Sequence, residues 1–102
     1  MSPSLADLGP SFFEPVVGTR LELVDEPSGL VASALELKSV DPLPSTVQGR
    51  EQPFSILLEG DCDPRIPQGT YLFRHPALGD LPLFIVPIRE RNGVRQYEAI
   101  FN

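Results

Sequence analysis

Hydrophobic residues along the chain fall into short runs separated by proline and glycine, and within several runs they alternate with polar residues at a period of two. Leu21 and Leu23 flank Glu22, Leu35 and Leu37 flank Glu36, and Phe54, Ile56 and Leu58 alternate with Ser55, Leu57 and Glu59. An extended chain points successive side chains to opposite sides, so each run offers one face to a core and the other to water or a neighbour. Strands are predicted at Thr19–Val24, Ala32–Val40, Phe54–Glu59, Thr70–His75, Leu81–Ile88 and Val94–Phe101. Twelve prolines and eight glycines leave hardly any window for helical periodicity. One short helix is predicted at Ser4–Leu8, with Ser4 as its cap and Gly9-Pro10 as its stop. The expected architecture is all-β, a small antiparallel β-barrel or sandwich of about six to seven short strands. It occupies residues 19–102, behind a proline-containing arm at residues 1–18.

The last two strands form the best-defined pair, because Asn92-Gly93 tolerates the positive φ angles of a tight hairpin turn. A two-residue loop sets Ile88 against Tyr97, Val86 against Ala99 and Phe84 against Phe101, collecting apolar residues on one face. It also asks Pro87 for a ladder hydrogen bond to Glu98 that proline cannot donate. A bulge near Pro87, or a place for this strand at a sheet edge, resolves the conflict, and so does a three-residue loop with Gly93 in a bulge. Asp41–Pro53 and Gly60–Gln68, both rich in proline, read as long loops, and loops of this kind often carry partner contacts.

At 102 residues the chain supports one core, and folding buries roughly 65% of the unfolded surface. Apolar residues make up 41% and charged residues 22%, the balance of a globular protein. The net charge of −6, with 8 basic residues scattered along the chain, argues against nucleic acid and against an anionic membrane surface. No apolar run approaches the ~18 residues of a spanning helix. The start, Met1-Ser2-Pro3-Ser4-Leu5, lacks the basic and apolar regions of a secretion signal, so synthesis in the cytoplasm is expected. An assembled extracellular or virion-like particle stays compatible with that. The single cysteine, Cys62, has no internal disulfide partner.

Candidate chemistry is sparse. His75 is the sole histidine, which removes multi-histidine metal sites; in a strand beside Pro76 it reads as a packed or hydrogen-bonded structural residue. Ser55, His75 and Asp80 have no nucleophile elbow around them. Asp61-Cys62-Asp63 has too few oxygen ligands for a calcium loop, and flanking carboxylates suppress the thiolate. Gln68-Gly69 opens a strand, and Leu78-Gly79-Asp80 turns between two. Glu90 with Arg89, Arg91 and Arg95 is a charged hairpin tip, either solvated or in contact with a partner. No catalytic residue, metal or cofactor is expected.

The C-terminal half carries Pro53-Phe54-Ser55-Ile56-Leu57-Leu58-Glu59-Gly60, Pro67-Gln68-Gly69-Thr70-Tyr71 and His75-Pro76-Ala77-Leu78-Gly79. It continues with Leu83-Phe84-Ile85-Val86-Pro87-Ile88 and Tyr97-Glu98-Ala99-Ile100-Phe101-Asn102. In this combination it resembles a family of small bacterial proteins of unknown function, with weaker agreement at Val17-Gly18-Thr19 and Leu35-Glu36-Leu37. The chain departs from that pattern at Leu58-Glu59, where an aromatic and a basic residue are expected, and at Arg20, where an aromatic is expected. The resemblance brings no catalytic residues; it implies association with phage-tail-collar-like proteins that resemble fibre subunits. The function expected is therefore a structural or assembly component of a phage-tail-like or fibrous bacterial particle, a homo- or hetero-oligomer with itself or a fibre-type protein. Contacts are expected through Pro10, Phe12 and Phe13 of the arm, Pro42 and Pro44 of the long loop, and Pro87, Arg89 and Arg91 of the penultimate strand. The alternative is a small-ligand-binding barrel lined by Phe54, Tyr71, Phe73 and Phe84.

Overall fold

The computed structural model describes residues 9–44 and 53–101. A four-residue helix α1 (Pro10–Phe13) runs into a 3-10 turn (Glu14–Val16). Six strands follow: β1 (Arg20–Asp25), β2 (Leu30–Pro42), β3 (Phe54–Asp61), β4 (Gly69–His75), β5 (Gly79–Arg91) and β6 (Val94–Phe101). They close into a barrel in the order β1-β2-β3-β6-β5-β4, each neighbour antiparallel. The all-β expectation holds, and of its two forms the barrel is the one adopted. The alternation sets the inner face: Leu21, Leu35, Leu37, Phe54, Ile56, Leu58, Phe73, Leu81, Leu83, Ile85 and Tyr97 are all at most 1% exposed.

Two strands run on into segments expected as loops, each for a local reason. Gly60 and Asp61, expected in a loop, continue β3 against Arg95 and Val94. A side chain at Gly60 would place its Cβ 2.5 Å from Leu35 Cδ2, so glycine leaves that space to a core leucine. Asp41 and Pro42, also expected in a loop, extend β2 opposite Ser55 and Phe54, and Leu43 N–H donates to Pro53 O at 2.8 Å. The remainder of that expected loop, residues 45–52, lies outside the described residues, as does the helix expected at Ser4–Leu8.

The β5–β6 turn is the two-residue form, with Asn92 at φ 53° and Gly93 at φ 79°. The expected bulge is present: Arg89 pairs with Gln96 and Pro87 with Tyr97, leaving Ile88 as the extra residue. Pro87 thus faces Tyr97 instead of Glu98, and the facial pairing of an unbulged hairpin is corrected. Leu81, Leu83 and Ile85 point inward, while Phe84 and Ile88 point out, 51% and 41% exposed. Similar one-residue insertions at Ala32 and Lys38 bend β2 against β1 and β3.

Both mouths of the barrel are stoppered. At one end Gly9 is extended (φ −114°, ψ 176°) and Pro10 takes the first helical position, where a missing N–H costs nothing. Gly9-Pro10, expected to stop a helix, starts one. Phe13 is 0% exposed, its ring centroid 5.9 Å from Phe54 and 5.4 Å from Phe101, which stack on each other at 4.6 Å. Phe12 meets Phe13 edge-on at 5.0 Å, and Val16 completes the plug. At the other end Ile66 lies over Tyr97, its N–H donating to the Tyr97 hydroxyl at 3.2 Å. The boundary expected after residue 18 therefore falls inside packed structure, since Phe13 and Val16 belong to the core.

Phe13→Ala removes a fully buried ring and leaves a gap the stacked phenylalanines cannot fill, at a cost of about 3–5 kcal/mol. The expected result in urea denaturation is a lowered midpoint with an unchanged slope; a loss below about 1 kcal/mol would show that the plug is not part of the core.

Candidate interaction surface

Of the residues expected to make contacts, Phe13 is spent within the chain and Phe12 is half-buried beside it, leaving Pro10 half-exposed at the helix start. Pro42 and Pro44 are exposed at the end of β2 and just beyond it, and Pro87 is half-buried beside the Ile88 bulge. Arg89 and Arg91 are exposed on the outer face of β5. The structure does not gather these residues into one site: the arm and the β5–β6 tip lie at opposite ends of the barrel.

His75 is 7% exposed and held as one tautomer. Ala77 N–H donates to Nδ1 at 2.9 Å, so Nε2 carries the proton and donates to Thr19 Oγ1 at 2.9 Å, whose hydroxyl donates to Val16 O at 2.6 Å. With both nitrogens engaged, the imidazole ties β4 to the segment leaving the plug. Among the described residues no three His, Cys, Asp or Glu side chains are grouped so as to hold a metal. No described helix is long and apolar enough to cross a membrane.

The hairpin tip is exposed, as one of its two readings had it, but Glu90 is paired within the chain. Glu90 accepts from Arg65 Nε at 2.7 Å and Nη2 at 3.2 Å, and from Arg95 Nη1 at 2.6 Å. Arg95 also reaches Ile66 O at 3.5 Å and sits over the Tyr97 ring at 5.5 Å. Cys62 N–H donates to Gly93 O at 3.1 Å. Together these bonds clamp the 62–68 loop, with Ile66 on its underside, onto the end of the barrel. Hydrogen bonds from Arg65 first and Arg95 second pull the Glu90 carboxyl down to about 2. Across the β4–β5 hairpin the Arg74 guanidinium, bonded at 2.9 Å, likewise holds Asp80 below its ordinary value.

The outer wall carries a feature the alternating pattern did not reveal. Val31, Val24, Leu72 and Pro82 are consecutive cross-strand partners and form one apolar row across β2, β1, β4 and β5. Val24, Leu72 and Pro82 each point opposite to an inward neighbour: Leu23, Phe73 and Leu81 face the core. Val24 is only 4% exposed yet is no part of the core cluster, which shows how closely the row packs on the outside. Phe84 extends the row along β5, 51% exposed, with Val31 at 49%. A parallel row of Ala34, Glu22, Arg74 and Asp80 borders it with charge. The signal was present in sequence as apolar doublets, Leu23-Val24 and Leu72-Phe73, where one residue must face out of the barrel.

A sequence profile for a domain of unknown function, DUF6916, matches residues 8–101. The chain belongs to this family. The DUF6916 match starts two residues before α1, so the family domain includes the aromatic plug as well as the six strands. No curated protein and no solved structure matches the chain.

The clamp on the 62–68 loop gives a pH signature. The Glu90 carboxyl falls from an ordinary 4.5 to about 2 on folding. Its contribution is therefore complete above about pH 4.5 and is lost as pH falls toward 2. In Glu90→Gln the melting temperature should lie below that of the parent near neutral pH, and the gap should close between about pH 4.5 and 2. A gap independent of pH would mean that Glu90 is not held by the two arginines.

Proposed function

We propose that the chain is a non-catalytic structural or assembly component of a phage-tail-like or fibrous bacterial particle, acting through protein–protein contacts on the outside of its barrel. The observation that carries this reading is the exterior apolar row Val31-Val24-Leu72-Pro82 with Phe84 at its end and a charged row beside it. An apolar strip with a polar rim is the usual make-up of a protein interface, and a small barrel has little other reason to place phenylalanine and valine half-exposed on its wall. The inner aromatics support the same direction: Phe54 and Phe73 are 0% exposed and Phe84 is outside, so three of the four side chains that would line a ligand chamber are packed away or external. Tyr71, the fourth, donates its hydroxyl to Pro67 O at 2.8 Å.

The test is site-specific photo-crosslinking in the native host. A photoreactive phenylalanine at Phe84 should yield a discrete adduct with a particle protein and sediment with assembled particles, while the same probe at exposed Glu14, on the plug at the barrel mouth, should not. A chain that sediments free, with no adduct from position 84, would contradict the proposal.

A further inference from the structure

The wall made by β3, β6 and β5 is organised by charge. Cross-strand pairing sets Glu59, Gln96 and Arg89 in one row and Asp61, Val94 and Arg91 in the next. Both rows run carboxylate, uncharged, guanidinium. The carboxylates stand two residues apart on β3 and the guanidinia two residues apart on β5, so each pair spans about 7 Å. Among the described residues neither Arg89, Arg91 nor Asp61 makes an ion pair. Glu59 accepts from Gln96 at 3.0 Å and has Lys38 at 3.9 Å. A surface groove of about 270 Å³ lies between the rows, lined by Glu59, Arg89, Arg91, Asn92, Val94 and Gln96.

We propose that this wall is a homotypic contact: a second copy of the chain docks on it about a two-fold axis running along β6. Such an axis keeps each residue at its level along the strand and exchanges the β3 side for the β5 side. Arg89 of one copy then meets Glu59 of the other and Arg91 meets Asp61, each twice. The equal spacing of the two pairs is what makes the surface complementary to itself. Val94 and Gln96 lie on the axis and oppose their own counterparts without charge. Glu98, the next outward residue of β6, opposes another Glu98, which confines the contact to the hairpin end. The surface is small and polar, so the dimer is weak, quick to exchange and sensitive to salt. This contact rests on the assembly reading above and supplies its first partner, through a wall separate from the apolar row.

Sedimentation velocity of the full chain at low ionic strength tests it. The parent should show a concentration-dependent dimer that weakens at least about tenfold between 0.05 and 0.5 M salt. Arg89→Glu with Arg91→Glu should be monomeric, as should Glu59→Lys with Asp61→Lys, and an equimolar mixture of the two should recover the dimer. Arg89→Gln with Arg91→Gln, which keeps all of β3 intact, should also be monomeric, and Glu98→Gln should tighten the parent dimer. Melting curves establish that each variant is folded. A parent that stays monomeric, a dimer indifferent to both arginine variants, or a mixture no better than its components would overturn the proposal. A monomeric parent that still crosslinks through position 84 would remove this contact alone and leave the assembly reading in place.

Discussion

Everything in this molecule follows from closing six strands on themselves. A closed sheet has no free edges, but a barrel this narrow must be filled by its own side chains, and its two mouths must be covered or the core is wet. The inward positions of all six strands supply the filling. The mouths need residues from outside the alternation: Phe13 at one end, seated on the stacked Phe54 and Phe101, and Ile66 at the other, bonded to Tyr97. The polar contacts serve that closure. Thr19 and His75 hold the chain where it leaves the plug, and Glu90 with Arg65 and Arg95 holds the loop bearing Ile66.

With the interior committed to packing, chemistry is left to the outer wall, which is not uniform. One part is an apolar row crossing four strands and bordered by charge. Another divides carboxylates from guanidinia across the uncharged Val94 and Gln96 of β6. Both are products of register: no single strand contains either row, and a shift of one residue would scatter them. The two-residue turn sets Arg89 level with Gln96, and the bulge at Ile88 then shifts the rest of β5 by one residue, which turns Phe84 outward.

The strands were legible because period-two alternation is the direct imprint of a two-faced sheet, as at Leu21-Glu22-Leu23 and Leu35-Glu36-Leu37. The hairpin was legible through Asn92-Gly93, and the bulge through the missing N–H of Pro87. The plug was not, because Gly9-Pro10 carries the same letters whether it ends one helix or caps the next, and only the distant Phe54 and Phe101 decide. The outer rows were hidden for a related reason: cross-strand neighbours such as Val24 and Leu72 are far apart in sequence, and alternation within one strand does not say which residues sit side by side. The pairing of the charged tip within the chain was not legible because Arg65, which bonds Glu90, sits on a loop whose path over the barrel end no local pattern encodes.

The central claim is that both mouths of the barrel are sealed by the chain itself, and nuclear Overhauser contacts between aromatic rings in the isolated protein test it most directly. The Phe13 ring protons should show contacts to both Phe54 and Phe101, and the Ile66 methyl groups should contact the Tyr97 ring. Narrow, exchange-averaged Phe13 resonances with no contact to either phenylalanine would mean an open barrel, and the case for a function carried wholly on the outer wall would fall with it.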